Sequence, residues 1–173
     1  MKSFILATLL GLTSLFATVY QVDTEKSLVT FKIHHAVVAK VEGKFNDFLG
    51  TYEYNDEFKY FSSFKGKAKI DSIDTDEPHR DKHLKEKLFE SSLYPTMNLE
   101  LISQDGSDFK ANLTIKGITK AVDFQIGISP SNEKQFLLVG KIERKDFNLI
   151  FSDMAGMTVG NTVTINIMFT PKS

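Results

Sequence analysis

Along most of the chain, apolar and polar residues alternate with a period of two, the spacing that sends successive side chains to opposite faces of a β-strand. Val163, Ile165, Ile167 and Phe169 alternate with Thr162, Thr164, Asn166 and Met168, so one face of this run is wholly apolar. Val29, Phe31 and Ile33 alternate with Thr30, Lys32 and His34, Met97, Leu99 and Leu101 with Asn98 and Glu100, and Ala68 and Ile70 with Lys67, Lys69 and Asp71. Ala111, Leu113 and Ile115, and then Val122, Phe124, Ile126 and Ile128, continue the pattern on either side of Gly117-Ile118-Thr119-Lys120. That arrangement predicts a hairpin whose short turn opens on glycine. Gln104-Asp105-Gly106-Ser107 and Ser129-Pro130-Ser131-Asn132 supply turn chemistry between further strands. The runs add up to eight or so strands. Short antiparallel strands with one apolar face each hide it by closing into a barrel or pairing as a sandwich, and periodicity does not choose between the two.

Two segments depart from the pattern. Between Asp76 and Glu90, Pro78 suits a first helical position and Leu84 and Leu88 share one face, while the residues around them are almost all ionisable. This predicts a short helix that packs through a thin stripe at the edge or mouth of the strand assembly. At the start, Lys2 precedes an apolar run from Phe4 to Phe16 that ends at Ala17, the pattern of a signal peptide over residues 1–17. Residues 18–173 then form one exported domain, periplasmic or secreted.

Composition removes several functions. The 21 basic and 22 acidic side chains leave a formal net charge of −1, so no global field draws the protein to nucleic acid. Cysteine is absent, which excludes disulfides, thiolate metal sites and cysteine nucleophiles. His79 and His83 have helical metal-binding spacing, but no third ligand accompanies them and the surrounding charges read as a solvated face. Asp71, Asp74, Asp76 and Glu77 fail as a calcium loop: starting at Asp74, His79 falls where glycine is needed and Lys85 where the bidentate glutamate belongs. His34 and His35 are neighbours on a strand and point to opposite faces. A lipid-acting enzyme using His34, His79, His83 and Asp81 stays as a second reading, and an interaction module using the aromatic stretch from Tyr52 to Phe61 as a third. No catalytic residue, metal site or cofactor is predicted.

The functional signal is apolar. Inward faces carrying Phe31, Ile33, Leu99, Leu101, Leu113, Ile115, Phe124, Ile126, Ile165 and Ile167 exceed what the turns and helix need for packing. A barrel of about eight strands is just wide enough to be filled by its own side chains or to hold one ligand. On this reading an inward charge such as Phe124→Glu abolishes ligand recovery without unfolding the protein. Head-group contacts are expected from His34, Arg80 or His83.

The motif string resembles the YceI family. Val41-Glu42-Gly43-Lys44-Phe45, Asp71-Ser72-Ile73-Asp74-Thr75, Arg80-Asp81-Lys82-His83-Leu84, Leu88-Phe89 and Tyr94-Pro95-Thr96-Met97 occur in that family's order and spacing. Leu113-Thr114-Ile115-Lys116-Gly117-Ile118-Thr119-Lys120 and Arg144-Lys145-Asp146-Phe147 follow, so the likeness runs from about Tyr20 to Phe169. It implies an all-β, lipocalin-like, antiparallel eight-stranded barrel with one short helix near its mouth. It also implies a periplasmic protein, often dimeric, that holds a polyisoprenoid or similar long lipid in a central channel for transport, storage or sequestration.

Overall fold

The computed structural model describes residues 18–35, 39–129, 132–151 and 158–172. The proposed signal peptide lies outside them. The strands are β1 (Thr18–Gln21), β2 (Leu28–His35), β3 (Ala39–Phe45), β4 (Phe48–Asn55), β5 (Tyr60–Lys69), β6 (Ile73–Asp74), β7 (Thr96–Asp105), β8 (Asp108–Ile115), β9 (Ile118–Ser129), β10 (Asn132–Glu143) and β11 (Val159–Phe169). They form one antiparallel sheet in the order β1-β4-β5-β7-β8-β9-β10-β11-β2-β3-β6.

The expected closed barrel of eight strands is therefore corrected to an eleven-stranded sheet curled into an open half-barrel. The reason lies at Asn46-Asp47. These two residues join β3 to β4, yet the strands do not pair: Asn46 N–H donates to Ser72 O and Lys69 N–H donates to Asp47 O. The chain thus steps from one flank of the sheet to the other. On the β3 side only the two-residue β6 pairs, through Lys44 with Asp74 and Phe45 with Ile73. The flanks are also stitched where Val22 bridges Pro171, Val22 N–H donates to Gly50 O, and Asp23 N–H donates to Thr170 O.

The β8–β9 hairpin is tighter than the sequence predicts. Ile115 pairs with Ile118, and the two turn residues, Lys116 and Gly117, both have positive φ, the mirror-image turn that matches strand twist. The helix is also shorter than expected. A single α-turn, α1 (Pro78–His83), continues as a π-helical turn over Leu84–Leu88. Glu77 caps α1 by accepting from the backbone N–H of His79 and Arg80, which holds its carboxyl below the usual carboxylate range.

Inside the curl the chain fills part of the interior with its own rings. The segment from Thr51 to Ser63 contributes Tyr52, Tyr54 and Phe61, which join Phe64, Phe109, Phe136 and Phe169 in a cluster of mostly edge-on and tilted rings. All seven are buried. The aromatic stretch is thus mainly core rather than an interaction surface, with Phe58 and Tyr60 its exposed members.

One inward row crosses five strands in register: Phe124, Gly140, Ile165, Phe31 and Gly43. Each glycine lies under the ring opposite it. A Cβ at Gly140 would stand 2.4 Å from the Phe124 ring, and one at Gly43 would stand 2.4 Å from the Phe31 ring. Gly140→Ala is expected to destabilise the fold by about 1–3 kcal/mol through overpacking. A urea midpoint unchanged from the native protein would contradict that packing.

Candidate functional site

Beside this packed part of the interior lies a cavity of about 450 Å³. Phe31, Ile33, Val41 and Phe45 of β2 and β3 line one side. Phe48, Gly50, Phe64 and Gly66 of β4 and β5 line the other, so the space lies between the two flanks of the curl. Leu99, Leu113, Ile115, Val163, Ile165 and Ile167 complete the wall. Phe64 and Phe169 belong to both the wall and the aromatic cluster, which makes that cluster the floor. Leu84, Leu88 and Phe89 cover the space from the helical segment, and the exposed lining residues Leu49 and His83 bring it to the surface.

The cover is held by polar contacts that leave its apolar stripe facing inward. Arg80 Nε donates to Thr75 Oγ1 at 2.8 Å and its NH2 donates to Thr75 O at 2.6 Å, while Thr75 N–H donates to Asp81 Oδ1 at 3.0 Å. Beyond the π-turn, the buried Lys116 ammonium pairs with Glu90 at 2.6 Å and donates to Asn148 O at 3.4 Å. Glu90, Lys116 and Asn148 all have left-handed backbones, so three residues in a conformation costly for non-glycine side chains meet at one clamp. Of the acidic residues Asp71, Asp74, Asp76 and Glu77, two carboxylates are engaged in the same fashion. Asp74 accepts from Asn46 and Asp76 N–H, and Glu77 caps the helix.

Of the expected lining residues, the structure brings Phe31, Ile33, Leu99, Leu113, Ile115, Ile165 and Ile167 to the cavity, together with Arg80 and His83. Leu101, Phe124 and Ile126 do not reach it: Phe124 is fully buried across Gly140, and the other two pack against the core. His34 is exposed and stands away from the wall. His79 and His83 find no third ligand, and no cluster of three or more His, Cys, Asp or Glu able to hold a metal occurs among the described residues.

Sequence reasoning missed Arg144 and Phe151. Arg144 is 5% exposed, and burial pulls its guanidinium below its ordinary pKa. Nε donates to Gly160 O, NH1 to Leu149 O and NH2 to Val159 O. Its carbon lies 5.2 Å from the centroid of the Phe151 ring, and the His83 imidazole runs parallel to that same ring with centroids 6.4 Å apart. By its local pattern Arg144 is an arginine at the end of an alternating strand in a run of polar residues, which reads as surface; the motif Arg144-Lys145-Asp146-Phe147 marked the family resemblance without marking burial.

This geometry can enclose an apolar group, and the described lining residues include no aspartate or glutamate to work with His83 as acid and base. The YceI-like domain family matches residues 20–170. Protein YceI of Salmonella newport (strain SL254) is 32% identical, the match covering 84% of each chain. Among solved structures, the Campylobacter jejuni YceI protein aligns with a TM-score of 0.67 at 24% identity, covering 100% of this chain and 99% of that one. A polyisoprenoid binding domain from Saccharophagus degradans aligns with a TM-score of 0.68 at 15% identity, covering 89% of this chain and 98% of that one. These two likenesses speak to the fold. The family match runs from β1 to just past the end of β11 and takes in the cavity and its helical cover, and this chain belongs to the YceI family.

Proposed function

We propose that the protein is an exported carrier or store for a long apolar lipid, with a polyisoprenoid as the favoured class. The observation that carries this reading is the cavity itself: about 450 Å³ of space with a branched-aliphatic and phenyl wall, inside the usual range for ligand sites. The polyisoprenoid binding domain with the same fold supports the choice of lipid class. Burial of a twenty-carbon tail contributes on the order of 15 kcal/mol gross at ~0.8 kcal/mol per methylene, enough to offset most or all of the cost of association and ordering. Such binding needs no catalytic group, and the reading is of a non-enzymatic protein. Export rests on the apolar segment before Ala17 and on the family, and pairing of two copies rests on the family alone.

Native mass spectrometry of protein purified without detergent tests the proposal. The expected spectrum contains a mass increment that organic extraction identifies as a hydrophobic chain, on a protein that has lost residues 1–17, and it also reports whether the protein is a dimer. Protein that carries nothing and takes up no added geranylgeraniol would end the carrier reading.

A further inference from the structure

The inward glycines are not equivalent. Gly43, Gly50 and Gly140 each lie beneath a side chain: a Cβ would stand 2.4 Å from the Phe31 ring at Gly43, 2.9 Å from Val22 Cγ2 at Gly50 and 2.4 Å from the Phe124 ring at Gly140. Packing requires glycine at those positions. Gly66, inside β5, differs. It pairs with Gly50 on one side and Leu99 on the other, in ladders that keep their register through it, and it lines the cavity. The atoms nearest to a Cβ at Gly66 belong to its neighbours in the sheet: Phe64 Cε1 at 3.3 Å, Leu99 Cβ at 3.8 Å and Phe64 Cζ at 3.9 Å. No side chain lies across it as closely as Val22 lies across Gly50. Among the described residues the glycines with positive φ are Gly106 and Gly117, so no left-handed backbone calls for glycine at position 66 either. Glycine inside a strand weakens it, having more freedom to lose and nothing to pack. What the missing side chain supplies at Gly66 is room on the cavity wall.

Resting on the carrier reading, we propose that Gly66 is a specificity-determining residue. The methyl-sized hollow over its backbone, between Phe64 and Leu99, receives a methyl branch of the bound tail, so this position favours a branched chain over a straight one. A branch seated there touches the edge of the Phe64 ring and the Leu99 side chain. A straight chain leaves the hollow unfilled and forfeits those contacts, because a gap too small for water has no partner atoms on one side. An alanine methyl at position 66 would occupy the same space permanently and turn the branch away.

Phytanol and hexadecanol share a saturated main chain and a hydroxyl head and differ in methyl branching alone. Each is competed against radiolabelled geranylgeraniol on delipidated mature protein, native and Gly66→Ala. The ratio of the two competing concentrations is compared between the proteins, which cancels the difference in water solubility. In Gly66→Ala phytanol is expected to lose about tenfold relative to hexadecanol, the order of effect of one methyl group in an apolar pocket. The same variant is expected to unfold at a urea midpoint no lower than that of the native protein, because the Phe64 edge has only to give slightly and the strand exchanges its glycine for a residue with less freedom to lose. Gly140→Ala, measured beside it, falls. Selectivity lost without stability lost is a result that a merely structural glycine does not produce. A Gly66→Ala protein that unfolds earlier than the native one, or does not fold, assigns the glycine to the bending of β5 and overturns the proposal. An unchanged ratio overturns it as well and leaves the carrier reading standing, whereas failure of the native protein to bind geranylgeraniol and both alcohols overturns both.

Discussion

Phe124→Glu is expected to yield no folded protein. Strand alternation places Phe124 on the inner face, which invites the reading that it touches ligand, but its ring is 1% exposed and lies against Gly140, the one inner position opposite it that has no side chain. A carboxylate there has no hydrogen-bonding partner and no route to water. The loss of a core ring together with an unpaired buried charge costs about 5 kcal/mol or more, comparable to the whole stability of an ordinary domain. The check is expression and circular dichroism of the variant beside Phe124→Leu, which should fold with reduced stability. A soluble, cooperatively unfolding Phe124→Glu protein would show that this part of the interior is not packed as described.

Ile165→Glu should behave in the opposite way: a folded protein that no longer retains lipid. Ile165 occupies the next position but one in the same row, opposite Gly140 on one side and Phe31 on the other, yet it is only partly buried because it faces the cavity. In the empty protein the new carboxylate can keep water beside it. Once a hydrocarbon chain fills the space that water must leave, so the penalty falls on binding rather than on folding. A loss of affinity of 100-fold or more is expected, corresponding to about 3 kcal/mol of uncompensated desolvation. Retention of lipid at native levels by purified Ile165→Glu would remove the cavity from consideration as the binding site.

These two variants also mark how far the sequence could be read. Period-two alternation identifies inner and outer faces well: β8 alternates exposed and buried along nearly its whole length, as Ala111, Leu113 and Ile115 led one to expect. It carries no information about which stretch of the curl borders open space. Leu113 and Ile165, which line the cavity, and Phe124, which lies in the same row as Ile165 but packs across Gly140, have the same local pattern. Closure was illegible for a related reason. Whether β3 pairs with β4 depends on where the bonds of Asn46 and Asp47 go, and they go to the segment around Lys69 to Ser72. The helix was legible from Pro78, Leu84 and Leu88, since a proline at the first position and an apolar stripe are local signals. Arg144 was not, because its burial comes from elements brought together only in the fold.

The aromatic floor acts as a ruler with a single fixed mark. Because Phe64, Phe136 and Phe169 brace one another and Tyr52, no one ring can step aside without disturbing several neighbours. A guest that outgrows the hollow has to fold back on itself or trail out beneath the helical cover, whereas a shorter one simply leaves part of the hollow unused. Selection by size is therefore lopsided, steep against excess length and lenient toward its lack.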